Sequence, residues 1–181
     1  MKYRYTYRNT PGDYFRFYMS NTYHSLMGIV NVIFTVAMAA LIVSRWSGSN
    51  LFFRLLMIFA LLIFPVFQPF FIWLRSIKSA ESIRVETTVS FDEGGMEIDV
   101  LTHKQRIVWK NFYACLRRAG LLIVSPDGAH AYLLPEKVIA TAEEGVEKDP
   151  ERVYSYIVGK IFEKSEHMSP DMERLKEKKG F

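Results

Sequence analysis

Four histidines (His24, His103, His130 and His167) and one cysteine (Cys115) are the residues of this 181-residue chain best suited to metal or nucleophilic chemistry. Their spacing speaks against both roles, because no two histidines stand at a separation that would bring metal ligands together. A lone thiol has no partner for a disulfide, and within an apolar strand it reads as a small buried side chain that stays reduced in the cytosol. Asp92, Glu93, Glu97 and Asp99 cluster closely enough to resemble an acid/base pair. They fall on a turn and on the polar positions of an alternating segment, where ordinary solvation accounts for them. Gly94-Gly95 reads as a hairpin turn, and Walker, dinucleotide and nucleophile-elbow patterns are absent. The expectation is a non-catalytic chain that requires no metal and no cofactor.

Two amides carry the remaining polar chemistry. Asn31 and Gln68 each interrupt an otherwise apolar run, about 8 to 9 Å inside one boundary of a hydrocarbon layer if both runs are helical. Their matched depths predict an Asn31 to Gln68 hydrogen bond that pins two helices in register, on a face where Gly28, Thr35 and Ala39 permit close approach. The competing reading is that each amide snorkels toward headgroups or bonds its own backbone.

The elements that would position these amides are the two apolar runs themselves. No charged residue lies between Leu26 and Val43 or between Leu55 and Leu74, and most acidic residues come later. As helices these runs reach about 27 and 30 Å, enough to span a bilayer, and the first can be extended back through Ser20 to Ser25. A cleaved signal peptide ending at Ala37-Met38-Ala39 competes for the first run, but the apolar stretch continues past that site and the preceding region is long and tyrosine-rich. The polar linker 44–50 is short, so the helices form a hairpin. Lys2, Arg4, Arg8 and Arg16 before it, and Arg75, Lys78 and Arg84 after it, outnumber Arg45 and Arg54 in the loop, which puts both chain ends in the cytosol. Trp46 at one edge and Tyr18, Tyr23 and Trp73 at the other suit interfacial anchoring. Pro65 and Pro69 predict a kink near Phe64 to Gln68.

Outside the runs the period changes. Tyr3, Tyr5 and Tyr7 alternate with polar residues as a strand that needs a sheet to join. Thr10-Pro11-Gly12-Asp13 reads as a capped helix start leading directly into the first span. From Ile83 onward Val85, Thr87, Val89 and Phe91 alternate with polar residues, Asp92 to Gly95 turn, and Met96, Ile98 and Val100 continue the pattern. Further strands are expected at Arg106 to Trp109, Tyr113 to Arg118, Leu121 to Val124 and Ala129 to Leu134, with Gly120 and Pro126-Asp127-Gly128 as turns. Asp149-Pro150 opens an amphipathic helix whose apolar face repeats at Val153, Ile157 and Ile161. The expected fold class is a membrane α-helical hairpin plus a small α+β, mainly antiparallel β, PH-like domain with a C-terminal helix. The segments are 1–24 (strand and entry helix), 25–44 (first span), 45–54 (loop), 55–75 (second span), 80–164 (the PH-like domain) and 165–181 (a charged tail, loosely helical or disordered past Ser169-Pro170).

Phe91-Asp92-Glu93-Gly94-Gly95, then Val108-Trp109 with Asn111-Phe112, then Leu121-Leu122-Ile123-Val124 and Tyr132-Leu133-Leu134-Pro135, resemble in order the C-terminal domain of the YcxB-like bacterial membrane proteins. Trp109 and Pro135 are the best markers, and the layout covers nearly the whole chain. The resemblance implies paired membrane helices ahead of a PH-like domain and a place in the bacterial cytoplasmic membrane, but no activity. The segment from Glu136 to Asp149 departs from the pattern.

A net charge of +4 and a pI near 9.1 arise largely from cations beside the spans. Arg75, Lys78 and Arg84 therefore read as contacts for anionic headgroups, and Lys104 with Arg106 has a spacing used for phosphoinositides by some PH domains. Nucleic acid is not an expected partner, because no aromatic stacking platform accompanies the basic residues. The functional expectation is a membrane-anchored interaction module whose PH-like domain docks a protein partner or the inner leaflet. The alternative is an accessory subunit of a transporter or channel complex.

Overall fold

A computed structural model describes residues 3–83, 85–100, 103–126 and 130–166. The chain divides into two units, one of Thr10–Ile83 and the other of Met1–Asn9 with Arg84–Phe181. Each unit is held together by a different chemistry.

The first unit is entirely helical. Helix α1 (Pro11–Tyr23) starts with a complete capping box: the Asp13 amide donates to Thr10 Oγ1, and the Thr10 amide donates to Asp13 Oδ2 at 2.9 Å. Helix α2 (Leu26–Arg45) and helix α3 (Leu51–Leu62) are joined by five residues, and Asn50 Oδ1 caps α3 by accepting from the Phe53 amide at 2.9 Å. That cap starts the second apolar helix four residues before the expected Leu55. A π-helical turn (Ile63–Phe67) then leads into α4 (Gln68–Ser82), so this helix also outruns the expected end at residue 75. The π-turn lies where Pro65 and Pro69 remove backbone donors.

The expectation that the entry helix runs straight into the first span is corrected. Ser25 is extended (φ −97°, ψ 168°), the chain turns there, and α1 lies against α4. Ser25 therefore separates α1 from α2, and the span cannot be extended back to Ser20. Gly28 makes the corner possible, since a Cβ on it would stand 2.5 Å from the Tyr23 carbonyl oxygen.

The second unit is built from strands β1 (Arg4–Tyr7), β2 (Thr87–Phe91), β3 (Gly95–Val100), β4 (His103–Val108), β5 (Ala114–Arg118), β6 (Leu121–Ser125) and β7 (Tyr132–Pro135). They form two antiparallel sheets, ordered β1-β2-β3-β4 and β5-β6-β7. The N-terminal tyrosine strand does join a sheet, pairing Tyr5 with Val89 and Tyr7 with Thr87. At the β2–β3 turn, Asp92 Oδ1 accepts from the amides of both Gly94 and Gly95. Gly95 has φ +159°, and a Cβ there would meet the Ile107 carbonyl oxygen at 2.1 Å, so no larger residue fits. Ala119 and Gly120, both with positive φ, make the β5–β6 turn.

Period-2 alternation sends Tyr5, Val89, Phe91, Met96, Ile98 and Ile107 into one core. Trp109 lies at its centre, 1% exposed, stacked on Phe91 at 6.2 Å and tilted against Phe112 at 5.1 Å, with its indole N–H donating to the Asp92 carbonyl at 2.9 Å. Helix α6 (Pro150–Glu166) adds fully buried Val153 and Ile157, each contributing roughly 1.5–3 kcal/mol of apolar burial. The segment after Pro135, which has no readable period, contains a short helix α5 (Glu136–Ala140) that buries Ile139. Arg117 ties this region down by ion pairs to Glu136 and Glu151, and the hydrogen bond it donates to Glu136 raises its already high pKa further. The structure is thus two long apolar helices followed by an antiparallel-sheet domain with a C-terminal helix.

Candidate functional site

Within the helical unit, one buried polar junction stands out against apolar surroundings. Asn31 is only 3% exposed, and its Nδ2 donates to Gln68 Oε1 at 2.8 Å. Asn31 faces inward on α2, and Gln68, the first residue of α4 after the π-turn, meets it. Phe34 packs edge-on against Phe64 at 5.2 Å one turn away.

A second polar bond closes the same junction. In the π-turn the Gln68 amide bonds to the Ile63 carbonyl, five residues back. The next carbonyl, that of Phe64, would find its donor on residue 69, but Pro69 has none. The Tyr23 hydroxyl fills the gap with a long bond of 3.3 Å to the Phe64 carbonyl. A carbonyl shielded from water and left without a donor costs about 1–3 kcal/mol, so a residue from α1 repairs what the proline breaks.

The other residues expected on this face are placed differently. Thr35 bonds its own helix, donating to the Asn31 carbonyl at 2.8 Å, while Ala39 is exposed and Gly28 serves the α1–α2 corner. Of the five, the structure joins Asn31 and Gln68 directly. Tyr18 and Tyr23, expected as interfacial anchors, are engaged inside the unit: the Tyr18 hydroxyl meets Ser79 Oγ at 2.9 Å and its ring carries the Arg75 guanidinium at 4.6 Å.

The expected basic residues also separate. Arg75 and Lys78 are exposed on α4. Arg84 lies outside the described residues. Lys104 sits beside Glu97 and Asp99, at 3.8 and 3.4 Å, and Arg106 pairs with both carboxylate oxygens of Asp92. These two therefore present a largely neutralised surface, which sequence spacing could not reveal because the acids come from neighbouring strands and the turn.

In the sheet unit, a cavity of ≈ 870 Å³ runs between β1 and the stretch after α5, with Arg4, Thr6, Arg8, Glu143 and Glu144 in its lining. The Phe91 amide bonds to the Tyr3 carbonyl at 2.9 Å, which fixes Tyr3, Tyr5 and Tyr7 as the residues whose backbone faces β2. Arg4 and Thr6 therefore turn their amides and carbonyls toward this cavity, an open sheet edge. The Tyr5 hydroxyl donates to the Glu147 carbonyl at 2.8 Å, closing the floor, and burial pushes its pKa upward. Sequence reasoning recognised the strand but not the groove, since its far wall comes from the 138–146 segment.

For metal or nucleophilic chemistry the described residues assemble little. They contain no group of three potential metal-ligating side chains. Cys115 is buried, and burial pushes its thiol up to about 12. No protein-family model, no curated protein and no solved structure matches this chain.

Proposed function

We propose that this chain is a membrane-anchored, non-catalytic docking module of the YcxB-like kind. In this reading the helical hairpin crosses the bacterial cytoplasmic membrane, and the antiparallel-sheet domain is PH-like and cytosolic. One observation carries the reading: the two long helices have mean hydropathies of 2.5 and 2.4, yet only 11% and 6% of those stretches are buried within the protein. A soluble core helix hides such residues; here Ile29, Ile33, Val36, Phe52, Phe59 and Phe71 all face outward.

The docking face follows from the open β1 edge. An extended peptide from a protein partner adds beside Arg4 and Thr6 as a further antiparallel strand in the groove. Arg75 and Lys78, exposed where α4 leaves the apolar stretch, meet anionic headgroups of the inner leaflet.

Carbonate extraction of membranes, with a reporter fused after Phe181, tests the anchor: the chain stays in the pellet and the reporter is active only in the cytosol. Recovery in the aqueous fraction rejects it. Crosslinked capture from native membranes tests docking, using Thr6→Pro. Proline removes the outward N–H while keeping the inward ladder, so the captured partner is lost from a folded sheet. Co-purification of a multi-span protein that survives Thr6→Pro points instead to an accessory subunit of a transporter or channel.

A further inference from the structure

The connecting-loop end of the hairpin holds a cavity that the docking reading does not use. It measures ≈ 960 Å³ and lies between α2 and α3, lined by Met38, Leu41, Phe53, Leu56 and Met57. This volume is at the upper end of what small-molecule sites offer, and its walls are mostly apolar. The amide pair and the Phe34–Phe64 contact hold the helices together at the other end, leaving this end open.

Arg45 and Ser47 also line the cavity. The two arginines near the loop differ in how they are satisfied. Arg54 donates from Nε to the Trp46 carbonyl at 3.1 Å and lies over the Trp46 ring at 5.2 Å. Among the described residues the Arg45 guanidinium has no ion pair or hydrogen-bond acceptor. None can come from nearby sequence, because no Asp or Glu occurs from Tyr14 to Ala80, and the helical unit holds Arg16, Arg45, Arg54, Arg75 and Lys78 against Asp13 and Glu81 alone. Arg45 is exposed and lines an apolar cavity, so its charge is open to an anion that enters there.

We infer that this cavity binds an anionic phospholipid of the loop-side leaflet, one acyl chain between α2 and α3 and the phosphate on Arg45. A guanidinium pairs with a phosphate through two parallel N–H bonds, and a headgroup without a choline cation leaves the phosphate charge uncompensated for the arginine to meet. An uncharged apolar helix from another protein would fill the cavity but leave the arginine unanswered. The inference rests on the membrane reading above, since only a chain in a bilayer meets such a ligand at this depth.

Native mass spectrometry of the full chain in detergent tests it, with dioleoyl phosphatidylglycerol, dioleoyl phosphatidylcholine and glycerol phosphate as probes. The anionic lipid is retained about fivefold more tightly than the zwitterionic one, equivalent to ~1 kcal/mol for one cation. Glycerol phosphate, which lacks the chains, is not retained. Arg45→Gln removes the discrimination, Arg45→Lys keeps part of it, and Arg16→Gln, at an exposed cation on α1, leaves it intact; circular dichroism confirms that each variant remains helical. Equal retention of the two lipids, a preference that survives Arg45→Gln, retention of glycerol phosphate alone, or lipid-free dimers filling the cavity would each overturn the inference. Carbonate extraction of the same wild-type chain separates the two failures: a chain that leaves the membrane sinks both readings, whereas lost discrimination in an embedded chain sinks only this one.

Discussion

Replacing Gln68 with leucine removes the acceptor of a donor that is 3% exposed. The Asn31 Nδ2 is then left unpaired among apolar side chains, which costs about 1–3 kcal/mol. The reciprocal Asn31→Leu change is milder. Gln68 is only half-buried and its longer side chain can find another partner at the surface of the unit, so the loss lies near the lower end of that range. Putting leucine at both positions removes the mismatch, and the double variant recovers part of the combined loss. Hydrogen bonds between membrane helices typically show couplings of about 0.6 kcal/mol, with a maximum near ~1.7 kcal/mol. The chain in mixed micelles, titrated with sodium dodecyl sulfate and followed by tryptophan fluorescence, gives the four unfolding free energies of the cycle. The reasoning fails if the coupling is below ~0.3 kcal/mol, or if Asn31→Leu is the more damaging single change.

Three further outcomes follow from the geometry. Trp109→Ala empties the centre of the sheet unit and strands the Asp92 carbonyl, so chemical denaturation registers a loss of about 3–5 kcal/mol. Gly28→Val places a side chain into the Tyr23 backbone, where a Cβ alone would stand at 2.5 Å, and destabilises the α1–α2 corner by about 1–3 kcal/mol in the same detergent titration. Cys115 resists maleimide at pH 8 in the folded chain and reacts once the chain is unfolded, as read by mass. Because burial raises its pKa from 9.0 to about 12, its contribution is complete below pH 9 and is lost as pH climbs toward 12, which a denaturation series across that window detects.

Sequence alone determined the features that depend on local period and composition. Two uncharged runs long enough to span a bilayer, a capped helix at Thr10, alternating strands from Thr87 onward and an amphipathic helix after Asp149 are all written in neighbouring residues. Each needs only the 3.6- or 2-residue repeat and a cap or turn residue at its end. The depth of Asn31 and Gln68 was also legible, because rise per residue converts position into height. Their matched depths predicted a hydrogen bond between them, which the folded helices form at 2.8 Å.

Tertiary structure alone decided what distant segments do to one another. The groove beside β1 needs a wall from residues more than a hundred positions away, and Lys104 and Arg106 are neutralised by carboxylates from other strands and the turn. Tyr23 looked like an interfacial anchor until its hydroxyl was found on the carbonyl that Pro69 leaves without a donor. Helix α5 is one turn and a half long, too short for any periodic signal, and it is held by burial of Ile139 and by Arg117. The division has one physical cause: periodicity reports which face of an element is apolar, whereas partner, distance and compensation are settled only when the faces meet.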